Sequence, residues 1–206
     1  NGSDTIGFIG GMDEKIAIQE YFIGYIEGAK YYNPEINIVY NYVGSWGDPD
    51  KGRTQALAQY NDSGAAVIFA CAGGSGNGVH QAASEVGRFV LGVDNDQSVG
   101  YSEQPEIQKA FITSCMKRMD NSIYNAIHKF LEDGTLPFGK NEILGLSEDV
   151  VGIVENDLYN EYVSDKGKEA IATAIAGISD GSIEVSSALN KEQDEIESEI
   201  QDMLGQ

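Results

Sequence analysis

The sequence predicts an α/β domain built on a doubly wound parallel sheet, and three observations predict it. Short apolar runs recur at Ile6–Ile9, Ile38–Val43, Ala66–Ala72 and Phe89–Val93. Patterns of helical spacing separate them, which makes successive βαβ units. Each run also ends in a glycine-rich, polar or aromatic tip. A run as continuously apolar as Ala66-Val-Ile-Phe-Ala-Cys-Ala72 suits a strand covered on both faces, because crossover helices bury both sides of a parallel sheet.

The elements follow in order. A first helix is expected from about Ile16 to Lys30, where Ile18, Phe22, Tyr25, Ile26 and Ala29 recur on one face. Asn33-Pro34 ends it, since a residue before proline avoids the α region. The second helix runs from about Pro49 to Tyr60, with Asp48 as N-cap and Pro49 at the first helical position, and Asn61-Asp-Ser-Gly64 closes it. The third spans about Asn77 to Val86. A fifth strand is expected at Ala110–Cys115, then a helix over Asp120–Asp133 with Ile123, Ile127, Phe130 and Leu131 as its apolar face and Gly134 as its stop. Residues 141–154 read as one or two more short strands. One helix is expected from Leu158 to about Ile178, ending before Asp180-Gly181. In Lys191–Leu204, Ile196, Ile200, Met203 and Leu204 recur at helical spacing among many carboxylates, a pattern that fits a helix lying on the domain or an acidic tail.

Bulk properties narrow the function classes. The 206 residues, 41% of them apolar, suffice for a continuous core. No apolar run approaches the roughly 20 residues that cross a bilayer, and no basic and apolar leader precedes Thr5-Ile-Gly-Phe-Ile9. An opening this abrupt is expected of a mature or trimmed chain. The 33 acidic and 13 basic residues give a net charge of -20, which repels nucleic-acid phosphate and anionic lipid. Cys71 and Cys115 lie far apart in apolar runs, so two buried free thiols are expected rather than a disulfide or a metal site.

In a doubly wound sheet the ligand sits beyond the carboxyl ends of the strands. The tips there are Gly10-Gly-Met-Asp13, Gly44-Ser-Trp-Gly-Asp48, Gly73-Gly-Ser-Gly-Asn-Gly78, Asp94-Asn-Asp-Gln97 and Met116-Lys-Arg118, and together they read as a binding rim. The run Gly73–Gly78 matches neither the dinucleotide fingerprint nor a P-loop; its amides could bind an anion or hydroxyl, or it could be a tight turn. Trp46, the one tryptophan, could pack into the core or offer a platform to a flat ring. Asp94 and Asp96 could take hydroxyls, a proton or a metal, though no further ligand joins them; Lys117 could meet a ligand or stay solvated. His80 and His128 lie in helical segments without a nucleophile at motif spacing, and no G-x-S-x-G is present, so catalysis is the minority reading.

Five blocks now stand in fixed order: Ile6-Gly-Phe-Ile-Gly-Gly-Met-Asp13, Asn41-Tyr-Val-Gly-Ser-Trp-Gly-Asp-Pro-Asp-Lys-Gly52, Ala72-Gly-Gly-Ser-Gly-Asn-Gly-Val79, Gly92-Val-Asp-Asn-Asp-Gln97 and Thr113-Ser-Cys-Met-Lys-Arg118. Together they resemble the basic membrane protein (Bmp) family, the nucleoside-receptor lipoproteins of ABC importers, over about residues 5–185. The resemblance implies one lobe of a type I periplasmic-binding-protein fold. It further implies a non-catalytic, extracytoplasmic role, a nucleoside as ligand, an ABC permease as partner and no cofactor or metal. It places Trp46 at the family's aromatic position, often Phe, that stacks on the nucleobase. It places the Gly73 and Gly74 backbone, Asp94 and Lys117 at positions that hydrogen-bond the ribose hydroxyls; Asp13 and Asp96 are weaker candidates. Family members carry a first lobe ahead of the block at Ile6, with the lipidated cysteine and further ligand contacts, and that lobe is expected to be missing here. On this reading residues 1–185 are the C-terminal lobe, 119–136 a hinge-crossing helix that packs on the missing lobe, and 186–206 an acidic amphipathic tail or terminal helix. A lone lobe of this kind should bind nucleoside weakly or not at all, and its exposed hinge surface should favour a homodimer. The alternatives keep the fold with a sugar or signalling ligand or a regulatory role, or turn to a flavodoxin-like nucleotide-using enzyme.

Overall fold

The computed structural model describes residues 4–136 and 138–205, so residues 1–3 and 206, the outer ends of the two expected segments, lie outside the described residues. The first half alternates as its sequence requires: β1 (Thr5–Gly10), α1 (Ile16–Tyr32), β2 (Asn37–Tyr42), α2 (Pro49–Asn61) and β3 (Val67–Cys71). A 3-10 turn at Gly73–Ser75 leads into α3 (Gly76–Glu85), then β4 (Phe89–Asp94), a second 3-10 turn at Gln97–Tyr101 and α4 (Pro105–Gln108). The chain continues through β5 (Phe111–Lys117), α5 (Met119–Asp133), β6 (Val151–Ile153), α6 (Asp157–Tyr162), α7 (Asp165–Asp180) and α8 (Gln193–Leu204).

The strands form one sheet in the order β2-β1-β3-β4-β5-β6, with the first five parallel. Period-two alternation sends neighbouring residues of β1 to opposite faces, and both faces are covered: Phe8 and Ile9 are each fully buried. On one face Phe8 stacks on Phe22 of α1 at 4.5 Å between ring centroids, among Ile23, Ile26 and Phe69. On the other face Ile9 and Ile68 pack with Ala56 and Tyr60 of α2 and Val79 of α3. The Tyr60 hydroxyl donates to the Phe89 carbonyl at 2.7 Å, so even this buried polar tip is satisfied.

Local signals act as expected at several ends. The Asp48 carboxylate accepts from the Lys51 N–H at 3.0 Å and caps α2 ahead of Pro49. Gly134 takes the left-handed conformation that stops α5. Elsewhere the structure differs. Residues 141–154 yield one strand, β6, which joins the sheet edge antiparallel to β5. The helix expected over 158–178 is two, because Val163 is extended and Ser164 starts a new cap by accepting from the Gly167 N–H at 3.2 Å. The last segment is a helix: α8 buries Ile196 and Ile200 on the α1 face, and Glu195 accepts the Glu192 N–H at 3.0 Å to fix its start. Cys71 is buried but Cys115 only partly so, and both are free thiols.

Candidate functional site

Strand β1 lies between β2 and β3, so the chain leaves it first to one side of the sheet and then to the other. The crevice of such a fold opens above the carboxyl ends of these strands. Gly11 follows β1 directly, donating its N–H to Cys71 O at 3.0 Å and accepting from the Gly44 N–H at 2.8 Å. Trp46 rests on this junction. A Cβ placed on Gly11 would stand 2.3 Å from Trp46 Cζ3, and one on Gly73 would stand 3.3 Å from Cε3. Gly73 also has φ +55, which suits a residue without a side chain. The six-membered ring of the indole thus lies against bare backbone, while Trp46 keeps 45% of its surface exposed.

Asp94 ends β4 with φ +68, one of three described non-glycine residues with positive φ. That conformation costs about 1 kcal/mol or more even for an aspartate. Its carboxylate pairs with Lys117 Nζ at 2.7 Å, each side chain being about half exposed. A pair this exposed contributes at most about 1 kcal/mol, no more than the positive φ of Asp94 costs. Tyr21 of α1 lies near enough to the same carboxylate to feel its charge. Burial pushes the Tyr21 phenol well above its ordinary value, and the charge of Asp94 adds to the rise, so it is a donor at every physiological pH. Asp94 therefore presents a held acceptor and Lys117 a held donor.

The other expected residues are placed as follows. The Gly74 backbone adjoins the Trp46 carbonyl, 3.0 Å from where its Cβ would be. The Asp13 side chain is exposed and accepts only the neighbouring Glu14 N–H, while its carbonyl takes the Gln19 side-chain amide, and Gln19 in turn meets the Tyr42 hydroxyl. The Asp96 carboxylate accepts from Ser98 N–H at 3.1 Å, Ser98 Oγ at 2.6 Å and Asn156 Nδ2 at 3.0 Å, which occupies it with capping the 97–101 turn. Gly11, Ser75 and Tyr21 have contacts at this rim that the sequence reading did not single out. For Gly11 the signal was the doubled glycine at a strand tip; the other two have none.

Burial keeps His80 and the two thiols in their neutral forms at neutral pH. Burial pushes the His80 imidazole down to about 3, and its Nδ1 lies 3.0 Å from the Tyr101 hydroxyl. Burial, followed by the charge of Asp94, raises the Cys71 thiol and takes Cys115 up to about 11, so neither is a thiolate at neutral pH. Among the described residues no group of three or more His, Cys, Asp or Glu is placed to hold a metal, and no helix is long and apolar enough to cross a membrane.

Comparison with known proteins identifies the family of this chain. Residues 2–201 match the Bmp family, described as "ABC transporter substrate-binding protein PnrA-like". Basic membrane protein D of Borreliella burgdorferi (strain JD1) is 43% identical over 154 residues, covering 74% of this chain and 43% of that protein. The ABC transporter nucleoside-binding protein BmpA of Lactococcus lactis subsp. cremoris is 32% identical over 195 residues, covering 90% of this chain and 54% of that one. A solute-binding protein of an ABC transporter system from Aeropyrum pernix K1 shares the fold, with a TM-score of 0.77 at 22% identity over 97% of this chain and 62% of its own. The chain spans about half the length of the curated relatives it matches. By sequence, the chain belongs to the Bmp family of PnrA-like ABC transporter substrate-binding proteins.

Proposed function

We propose that this chain is the C-terminal lobe of an extracytoplasmic nucleoside-binding protein that hands its ligand to an ABC permease and performs no catalysis. The observation that carries the proposal is Trp46 seated on the Gly11 and Gly73 backbones at the sheet's switch point, with nearly half its surface open. In this role the indole stacks on one face of the nucleobase. The Gly73–Gly74 backbone, Asp94 and Lys117 take the ribose hydroxyls, for which a paired acceptor and donor are the right chemistry. Asp13 and Asp96 are peripheral in this arrangement. The net charge of -20 favours an uncharged nucleoside over a nucleotide.

The second face of the base is supplied by a first lobe, and α5 crosses the hinge to pack on it. That accounts for Ile123, Ile127, Phe130 and Leu131, all exposed on one face of the helix. In the intact protein a lipid anchor on the first lobe would keep the receptor at the membrane beside its permease. A chain lacking that lobe covers α5 by pairing with a second copy; a monomeric sedimentation profile at high concentration would remove the pairing.

Calorimetric titration tests the assignment. Adenosine, guanosine, inosine, uridine and ribose are titrated into this chain and into the same chain preceded by a first lobe from its genomic context. The two-lobed form binds at least one nucleoside tightly, and Trp46→Ala or Asp94→Ala weakens it roughly 10- to 100-fold, the scale of one stacked base or one charge-assisted hydrogen bond. Silence from both proteins, or ribose binding as tightly as every nucleoside, overturns it.

A further inference from the structure

The loop that carries Trp46 and the turn that carries Gly73 and Gly74 come from different strands, and one fully buried side chain ties them together. Ser75 donates its hydroxyl to the Ser45 carbonyl at 2.8 Å and accepts the Asp48 N–H at 2.9 Å. Its own N–H donates to the Trp46 carbonyl at 3.1 Å. Three hydrogen bonds from one residue thus bracket Trp46 on both sides, at residues 45, 46 and 48. A loop rich in glycine has many conformations to lose, and a brace of this kind removes them before any ligand arrives. The core gains little from the hydroxyl itself, because Ser75 bonds only loop backbone. The α3 helix beside it shows the contrast: Ser84 spends its hydroxyl on the Glu106 carbonyl at 2.9 Å, well away from the Trp46 loop.

We propose that Ser75 is a positioning residue of the ligand site, which sets the height and tilt of the Trp46 platform above the Gly73–Gly74 turn so that base stacking and ribose bonding operate as one rigid unit. The part that concerns the nucleoside rests on the reading given above; the brace itself does not.

Trp46 is the one tryptophan in the chain, so its fluorescence reports the brace directly and without ligand. In Ser75→Ala the emission moves to the red and acrylamide quenching rises about twofold, while Ser84→Ala, which removes a hydroxyl from the adjoining helix α3 away from the Trp46 loop, leaves both unchanged. In the two-lobed form Ser75→Ala weakens nucleoside binding about tenfold and leaves free ribose binding as it was, a split that loss of general stability would not produce. Should Ser75→Ala not fold, amide exchange in the unaltered chain decides the matter: the Asp48 N–H is protected at least 100-fold despite lying in a surface loop. Unchanged quenching in a folded Ser75→Ala, or an unprotected Asp48 amide, overturns the proposal. Failure of the unaltered two-lobed protein to bind nucleoside would instead sink the assignment of ligand, and fluorescence and exchange would still judge the brace.

Discussion

On α1, Ile18, Phe22, Ile23 and Ile26 are at most 5% exposed, whereas on α5 Ile123, Ile127, Phe130 and Leu131 range from 45% to 76%. Both helices carry an apolar stripe at helical spacing, and α5 separates its two faces more sharply than α1 does. The difference lies in what surrounds them. Helix α1 is roofed on one side by the sheet and flanked by α8, while α5 buries none of its residues. Periodicity states that a helix forms and which face seeks cover, but not what supplies the cover.

Phe22→Ala should produce the largest effect that sharpens this contrast. Its ring is fully buried and stacks on Phe8, so its loss should cost about 4 kcal/mol of unfolding free energy, read from denaturant titration. A cost near 1 kcal/mol would show that the α1 face is loosely packed.

The next effect extends the comparison to the buried histidine on α3. Free imidazole titrates near 6.5, but His80 in the fold does so at about 3. Below pH 6.5 the unfolded chain takes up a proton that the folded chain refuses. Stability from this group is therefore fully present above 6.5 and is lost progressively as pH falls toward the folded value. At about 1.4 kcal/mol per pH unit, roughly 3 kcal/mol is lost by about pH 4. His80→Phe should remove that part of the acid slope, measured as the difference between the two unfolding profiles; identical slopes would contradict the burial.

A smaller effect tests how α1 gets its cover. The Glu20 carboxylate accepts the Ser187 hydroxyl at 2.8 Å and the N–H groups of Ala188 and Leu189, and Glu27 accepts the Ser186 N–H at 3.1 Å. These bonds strap the approach to α8 onto α1. Glu20→Ala should cost about 2 kcal/mol, the scale of losing bonds to a charged acceptor, and should speed amide exchange at Ala188 and Leu189.

How far the sequence discloses this molecule depends on whether a feature is local. The alternation of strands and helices, the Asp48-Pro49 start of α2 and the Gly134 stop of α5 are local chemistry, and all were legible. The break at Val163 was not, because an apolar stripe runs across it and only the cap at Ser164 marks it. The antiparallel direction of β6 is a matter of how the chain returns, which no spacing of side chains records. At the candidate site, glycine and aromatic residues at strand tips exposed Trp46 and Gly73 to a sequence reading. Ser75 bonds a partner 30 residues away in sequence, at Ser45, and nothing local announces such a contact.

The smallest predicted effect is the most informative about α5. Leu131→Ser in this chain removes a side chain that is 76% exposed, so unfolding free energy should change by no more than about 0.5 kcal/mol. The same change in a chain that carries a first lobe should cost about 1–2 kcal/mol, because the leucine would then leave a packed interface. The pair of measurements matters more than either alone. A cost in both would mean that α5 is already covered, by a second copy or by the chain itself, and dilution would tell those apart. No cost in either would show that a first lobe does not cover α5, and the hinge-crossing reading of this helix would fall.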